Sequence, residues 1–167
     1  MTMFLGTHQN RLDAKGRVSI PAPFRAALRG AANAHRGSGS GNGSGNGDEP
    51  IPLVLRPSHK HPCIEGWPEA EFTALAKPLE RLDLFSEEHD DLAAALYADA
   101  YPLEADREGR IVLPSGLVAH ARLQDAVVFM GLGRTFQIWE PAAAEQRRAE
   151  ARERAKAARM TLPGAAA

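Results

Sequence analysis

Short apolar runs, rich in branched residues and bounded by glycine, proline or charged residues, recur along the chain. Examples are RVSI at 17–20, IPLVL at 51–55 and VVF at 127–129. Such runs predict β-strands. Helix signals lie between them: the segment from Ser86 has a capping residue and an acidic first turn, and Pro68 and Glu69 begin a helix that Pro78 should kink or divide. The pattern therefore predicts an α+β fold.

One strand pattern occurs twice. DAKGRVSIP, from Asp13 to Pro21, returns as DREGRIVLP, from Asp106 to Pro114. Each copy predicts a strand, a glycine-containing turn and a second strand, hence a hairpin. A short helix follows each copy, with Gly30 expected to end the first one. Each copy has too few strands to close a core alone, so we expect two repeats related by a pseudo-two-fold axis.

Each repeat continues into a second predicted hairpin. In the first repeat it is IPLVLRPSHKHPCIEGWP, and in the second it is DAVVFMGLGRTFQIWEP with Gly131–Gly133 in the turn. These patterns divide the chain into a first repeat (1–67), connecting helices (68–100), a second repeat (101–140) and an exposed C-terminal helix and tail (141–167). The Gly-rich stretch 37–47 predicts a flexible surface loop, more simply explained as a tolerated insertion than as a tether or lid.

Composition narrows the function classes only slightly. The chain has 167 residues, a net charge of −1 and a pI near 6.6, which does not by itself indicate a nucleic-acid-binding protein. The single cysteine, Cys63, excludes an intramolecular disulfide and fits a reducing compartment. The N-terminus lacks a signal-peptide pattern, and no apolar run is long enough to cross a membrane. We expect a cytoplasmic protein without a membrane association.

The repeated motif has clear conformational requirements. Gly16 and Gly109 stand where a hairpin loop needs a positive φ. Asp13 and Asp106 precede the turns at a distance suited to accepting hydrogen bonds from turn amides, which favours turn capping over acid catalysis.

Basic side chains cluster around both turns. Arg17 and Arg110 directly follow the glycines, Lys15 and Arg11 accompany the first turn, and Arg107 lies in the second. A guanidinium on a rigid turn can hold a phosphate or a guanine edge, or it can pair with a carboxylate across the pseudo-two-fold. DNA contact is the favoured interpretation for Arg17. Both alternatives stay open for Arg110, which has acidic neighbours.

The chain resembles the MraZ family, relatives of the AbrB-type swapped-hairpin transcription factors. The resemblance is carried by FLGTHQNRLDAKGRVSIPAPFRAAL and ADREGRIVLPSGLVAHARL, with support from HPCIEGWPEAEF and VVFMGLGRTFQIWE. It implies a double-split β-barrel made from two tandem repeats with peripheral helices. It also implies a nucleoid-associated regulator that binds promoter direct repeats of double-stranded DNA, represses the division and cell-wall gene cluster, and assembles as a homo-oligomeric ring.

By residue, the resemblance assigns DNA contact to Lys15, Gly16 and Arg17, and to Arg110 at the matching place in the second repeat. The first hypothesis is thus a sequence-specific DNA-binding regulator, which requires Lys15 and Arg17 to be unpaired. The alternative is a ring-forming interaction protein in which DNA contact is incidental.

Other chemistry has little support in the sequence. No nucleophile elbow, Walker loop or HExxH motif occurs, so we expect neither an enzyme nor a small-molecule substrate or cofactor. His59, His61 and Cys63 stand at alternating positions and would share one face if this segment were a strand, with His89 as a conceivable fourth metal ligand. Zinc sites use a different spacing, and a polar hairpin tip with a buried thiol is the favoured interpretation.

Overall fold

The computed structural model describes residues 3–36 and 49–163, and this part of the chain is a mixture of strands and helices, as predicted. The strands are β1 (Thr7–Arg11), β2 (Arg17–Ser19), β3 (Ile51–Pro57), β4 (Ile64–Pro68), β5 (Tyr101–Ala105), β6 (Arg110–Val112), β7 (Ala126–Gly131) and β8 (Phe136–Trp139). The helices are α1 (Ala22–Arg36), α2 (Glu69–Thr73), α3 (Ala76–Leu79), α4 (Glu87–Ala93), α5 (Ser115–His120) and α6 (Pro141–Ala157), and a π-helical turn, Ala94–Ala98, extends α4. The Gly-rich stretch 37–47 lies outside the described residues.

The strands of the two halves of the chain pair with one another. Six of them form an antiparallel sheet in the order β1-β7-β8-β4-β3-β5, and β2 and β6 form a separate two-stranded ribbon. Strand β1 of the first half pairs with β7 of the second, and β5 of the second half pairs with β3 of the first. Strands β1, β3 and β4 of the first half correspond to β5, β7 and β8 of the second. Exchanging corresponding strands gives the same order read from the other edge of the sheet, with the β4–β8 pair at the centre.

This pairing corrects the expectation of a hairpin in each copy of the motif. Strands β1 and β2 flank a tight turn, yet β2 pairs with β6 and not with β1. Likewise, β5 and β6 flank the second tight turn, yet β5 pairs with β3 and β6 pairs with β2. The reason is burial: Val18 of β2 lies opposite Ile111 of β6, and both side chains are buried in a core shared by the two halves.

The second hairpin of each half is confirmed. Strands β3 and β4 pair in register from Leu53↔Pro68 to Pro57↔Ile64, and β7 pairs with β8 from Val128↔Trp139 to Gly131↔Phe136. The turn of the latter contains Gly133, whose φ of +87° explains the glycine there.

Helix α1 is longer than the sequence suggested. Gly30 was expected to end it, but the helix continues to Arg36. Phe24, Ala27 and Leu28 are buried at helical spacing, and this packing, together with the Ala-rich continuation, outweighs a cost of about 1 kcal/mol for an interior glycine.

The connecting segment 69–100 breaks into short helices. Proline cannot pack beneath the carbonyl four residues earlier, and the break between α2 and α3 falls at Ala74 and Leu75, with Pro78 in the first turn of α3. Ser86 caps α4, as predicted, because its side chain accepts a hydrogen bond from the amide of His89 (3.1 Å). No residue from 69 to 100 is buried.

The main core lies between the six-stranded sheet, the ribbon, α1 and α5, and four aromatic rings dominate it. Phe24 contacts Phe4, Phe129 and Phe136 at centroid distances of 5.3, 6.2 and 5.5 Å. Helix α6 is exposed along most of its length, as expected, but its first turns pack on β7 through Ala144. Within residues 3–36 and 49–163, no helix combines the length and apolar character needed to cross a bilayer.

Candidate nucleic-acid interface

The first turn of the repeated motif is closed by a single carboxylate. Asp13 Oδ1 accepts hydrogen bonds from the amides of Lys15 (3.0 Å) and Arg17 (2.8 Å), and the Asp13 carbonyl accepts one from the amide of Gly16 (3.0 Å). Gly16 has a φ of +81°. The predictions of turn capping by the aspartate and of positive φ at the glycine are both confirmed here.

The second turn repeats this geometry. Asp106 Oδ1 accepts from the amides of Glu108 and Arg110, both at 2.9 Å, and the Asp106 carbonyl accepts from Gly109 at 2.8 Å. The φ of Gly109 is +80°. The same five-residue spacing therefore produces the same local structure twice.

Each turn is held in place by the opposite half of the chain. The carbonyl of Gly16 accepts a hydrogen bond from the amide of Leu113, and the carbonyl of Gly109 accepts one from the amide of Ile20, both at 2.8 Å. The space beside Gly16 is correspondingly small, since a Cβ atom there would lie 3.0 Å from the Leu113 carbonyl oxygen. The position of each turn thus depends on the other repeat.

Both motif arginines are exposed and each pairs within its own turn. Arg17 Nε donates to Asp13 Oδ2 at 2.6 Å, and Arg110 Nε donates to Asp106 Oδ2 at 2.9 Å. The requirement that Arg17 be unpaired is therefore wrong. Within residues 3–36 and 49–163, neither arginine pairs with a carboxylate across the pseudo-two-fold. The side chains nevertheless remain 61% exposed. The aspartate fixes each guanidinium through Nε without removing it from solvent.

These hydrogen bonds also lower the pKa values of the two aspartates. The amide of Arg17, followed by its guanidinium, lowers the pKa of Asp13 below the ordinary value. The amide of Arg110 is likewise the largest cause of the lowered pKa of Asp106. Both carboxylates are thus held in the charged form that the turns require.

The two turns differ in charge. Lys15, at the apex of the first turn, is exposed, and among the described residues it forms no ion pair. Its counterpart Glu108 pairs instead with Arg110 (Oε2 to Nη2, 3.1 Å). The hydrogen bond that Arg110 donates to the Asp106 carboxylate, followed by the negative charges of Asp106 and Glu108, raises the pKa of Arg110. The first turn is therefore the more electropositive of the two.

Basic side chains from both halves meet at the β2–β6 ribbon. A shallow cavity of about 320 Å³ is lined by Arg11, Asp13, Arg17, Val18, Ser19 and Arg110. Ser19 lies opposite Arg110, so the exposed face of the ribbon carries both motif arginines. Of the predicted residues, Arg11, Arg17 and Arg110 come together here. Lys15 and Arg107 lie on the turns outside this lining, and Gly16 contributes backbone only.

Two positioning residues were missed in the sequence. Arg25 and Arg29 of α1 donate through Nη1 and Nη2 to the carbonyls of Glu108 and Arg107, the latter at 2.8 Å. Helix α1 of the first half therefore holds the backbone of the second turn through these two hydrogen bonds. Their spacing of four residues on one helix face was the available signal.

The alternating histidines and Cys63 show no metal-site geometry. In the described part of the chain, no group of three or more His, Cys, Asp or Glu side chains is arranged to hold a metal ion. The rings of His61 and Trp139 lie 5.8 Å apart between centroids at a tilted angle, whereas His89 lies in α4 and lines a cavity with Phe72 and Tyr97. Cys63 is buried, as expected, and burial raises the pKa of its thiol to about 12, which makes the thiol unreactive.

The fold and this site define an α+β protein built from two repeats whose strands pair with each other. Each repeat carries one exposed turn with the same aspartate, glycine and arginine. The family model described as "MraZ protein, putative antitoxin-like" matches residues 3–34 and 96–163. A relative from Gluconacetobacter diazotrophicus, named Transcriptional regulator MraZ, is 64% identical over 98% of this chain and 93% of its own length. Relatives of the same name from Gluconobacter oxydans and Pelagibacter ubique are 60% and 36% identical, over 93% and 96% of this chain and 87% and 92% of their own lengths. The chain belongs to the MraZ family.

Proposed function

We propose that this protein is a transcriptional regulator that binds double-stranded promoter DNA through its two Asp–Gly–Arg turns. One observation carries the proposal: Arg11, Arg17 and Arg110, from both halves of the chain, surround one exposed concave surface. The names of the relatives support the regulatory role.

The ribbon has a suitable shape for this contact. A two-stranded β-ribbon fits the major groove of B-DNA, where a guanidinium can bond two acceptors of guanine. Arg17 donates to Asp13 through Nε, and among the described contacts its two terminal nitrogens form no hydrogen bond with this carboxylate. In the proposal Arg17 reads or clamps a base edge, and Lys15 and Arg11 hold phosphates. Arg107 and Arg110 give weaker contacts, because Glu104, Asp106 and Glu108 accompany them.

The finer features of the proposal follow the family. The cross-paired strand order supports a double-split β-barrel formed by two tandem AbrB-like repeats. The protein would act in the cytoplasm at the nucleoid, repressing the division and cell-wall gene cluster from promoter direct repeats. Each neutralised phosphate contributes a salt slope of about −0.9, so one subunit with few cations binds weakly. A ring that engages several repeats would raise the affinity through effective concentration.

The test compares two variants of the first turn. Arg17→Ala should abolish the preference for a duplex with the direct repeats over a scrambled duplex, measured by fluorescence anisotropy at several salt concentrations. Lys15→Ala is the matched control: it should weaken binding to both duplexes alike and reduce the salt slope. If Arg17→Ala folds and binds the repeats with unchanged preference, the role of Arg17 is refuted.

The alternative, a ring-forming interaction protein with incidental DNA contact, makes a different prediction for the unmodified protein. It would bind the repeat duplex and the scrambled duplex with equal affinity at every salt concentration. That result would overturn the proposed regulator.

A further inference from the structure

Helix α6 carries a row of cations along one exposed side. Arg148, Arg152 and Lys156 are all exposed, and their spacing of four residues places them on successive turns of one helix face. Because an α-helix rises about 1.5 Å per residue, the row is about 12 Å long. We call these three residues the basic row.

The acidic residues of α6 do not neutralise this row. Within residues 3–36 and 49–163, no cation of the row forms an ion pair, and Glu150 pairs instead with Arg154 at 3.9 Å. Glu145 and Glu153 each stand three residues before a cation of the row, which is close enough for pairing on a helix, yet the described residues contain no such pair. The row therefore presents its charge to solvent.

The tip of the β3–β4 hairpin adds cations beside α6. Burial, followed by the charges of Arg147, Lys60 and Arg154, lowers the pKa of His61, and the carboxylate of Glu65 has a smaller opposite effect. Lys60 belongs to the hairpin tip, and the two arginines belong to α6. The positive surface thus extends from the basic row towards this tip.

Helix α6 lies on the face of the sheet opposite to the β2–β6 ribbon. Along β7, Val127 and Phe129 belong to the main core beneath the ribbon, whereas Val128 and Met130 form a second cluster with Ala144 of α6. Successive residues of a strand point to opposite faces of the sheet, so the ribbon and α6 cover different faces. A straight duplex held at the ribbon therefore does not reach the basic row.

The composition of α6 favours one class of partner. Its apolar residues are alanines and one proline, Pro141. A helix that binds a membrane surface needs a large apolar face, and protein interfaces depend on aromatic or large apolar anchors. A phosphate backbone needs neither, because lysine and arginine bind it through charge. The basic row therefore fits a nucleic-acid backbone better than a bilayer or an acidic protein.

We propose that the basic row binds the phosphate backbone of a second segment of double-stranded DNA while the turns hold the first. Binding at the row is independent of base sequence, because phosphates carry no direct sequence information. The protein then joins two duplexes, or two distant segments of one bent duplex. This inference rests on the proposed function for the first duplex only, and it does not depend on which turn residues contact that duplex.

The experiment fills the turns before it examines α6. The protein is saturated with excess unlabelled repeat duplex, a labelled scrambled duplex is added, and its binding is followed by fluorescence anisotropy at several salt concentrations. The row variant combines Arg148→Gln, Arg152→Gln and Lys156→Gln; glutamine is a good helix former, and circular dichroism verifies folding.

Arg152→Gln alone and Arg134→Gln form a matched pair, because each removes one exposed cation. Arg134 is 83% exposed and lies beside Glu71 of α2, away from the basic row. Arg152→Gln should reduce the salt slope for the scrambled duplex by about 0.9, and Arg134→Gln should leave the slope unchanged. Equal slopes for the two variants would contradict a contact at the row.

The unmodified protein should bind the scrambled duplex, and the row variant should bind it at least about tenfold more weakly at low salt. The row variant should keep its preference for the direct repeats, which separates this surface from the turns. If the row variant binds the second duplex as the unmodified protein does, or if the unmodified protein does not bind it, the inference is refuted and the proposed function of the turns stands. Tighter binding of a poly-glutamate peptide than of a duplex of equal charge would also refute it, in favour of an acidic protein partner.

Discussion

Replacing Gly16 with alanine tests whether the contact between the two repeats holds the first turn in place. Gly16 has a φ of +81°, and an added Cβ atom would approach the carbonyl oxygen of Leu113 to 3.0 Å. That atom belongs to the backbone of the opposite repeat and cannot rotate away. The amide of Leu113 also donates to the Gly16 carbonyl, so a displaced strand would weaken this hydrogen bond.

The expected cost has two parts. A non-glycine residue in the left-handed region costs about 1–2 kcal/mol. Weakening the hydrogen bond between Leu113 and Gly16 adds about 1 kcal/mol. The free energy of unfolding should therefore fall by about 2–3 kcal/mol. Gly133→Ala provides the matched control, since φ is +87° there but the nearest atom to an added Cβ, the Met3 Cε, lies at an unstrained 3.6 Å. The free energy of unfolding of Gly133→Ala should therefore fall only by the cost of the left-handed backbone, about 1–2 kcal/mol.

Thermal unfolding at equal protein concentration measures the difference. For a chain of this size, about 1 kcal/mol corresponds to about 2–4 °C in Tm. Gly16→Ala should unfold at a temperature lower than Gly133→Ala by about that amount, and its preference for the direct repeats should decrease because Arg17 follows the displaced residue. Equal Tm values for the two variants would refute the view that the opposite repeat clamps this turn.

Two further predictions concern titratable groups. The pKa of Asp13 lies below 3.8, so the stability that its carboxylate gives is complete above that value and is lost as the pH falls through the lowered pKa. Arg17→Ala should raise the pKa of Asp13 in an NMR titration but leave it below 3.8, because the backbone hydrogen bonds remain; an unchanged pKa would contradict the pairing. Burial raises the pKa of Cys63 to about 12, so the native protein should resist iodoacetamide near pH 8 and react once unfolded in guanidinium chloride. Equal labelling rates in the two states would contradict the burial of this thiol.

Local structure was predictable wherever the cause lies within a few residues. The turn at Asp13–Arg17 depends on one aspartate and one glycine at fixed spacing, and the cap at Ser86 depends on a hydroxyl three residues before an amide. The hairpins β3–β4 and β7–β8 pair neighbouring apolar runs across short turns. These interactions are complete within a short window of sequence, so the pattern was sufficient to identify them.

The candidate site was only partly predictable. The sequence identified the six basic and glycine positions of the two turns, but it did not reveal that Arg17 pairs with Asp13 or that Arg25 and Arg29 support the second turn. A side chain's partner depends on its direction in space. The sequence gives spacing along the chain and not that direction.

The two copies of one strand–turn–strand motif follow from the order of residues alone, because the turn chemistry and the apolar runs are local properties. The pairing of β2 with β6 and of β1 with β7, and the continuation of α1 through Gly30, instead depend on contacts between distant parts of the chain. Those outcomes depend on which surfaces bury the most apolar area together, and the residues involved, such as Val18 and Ile111, are far apart in the chain.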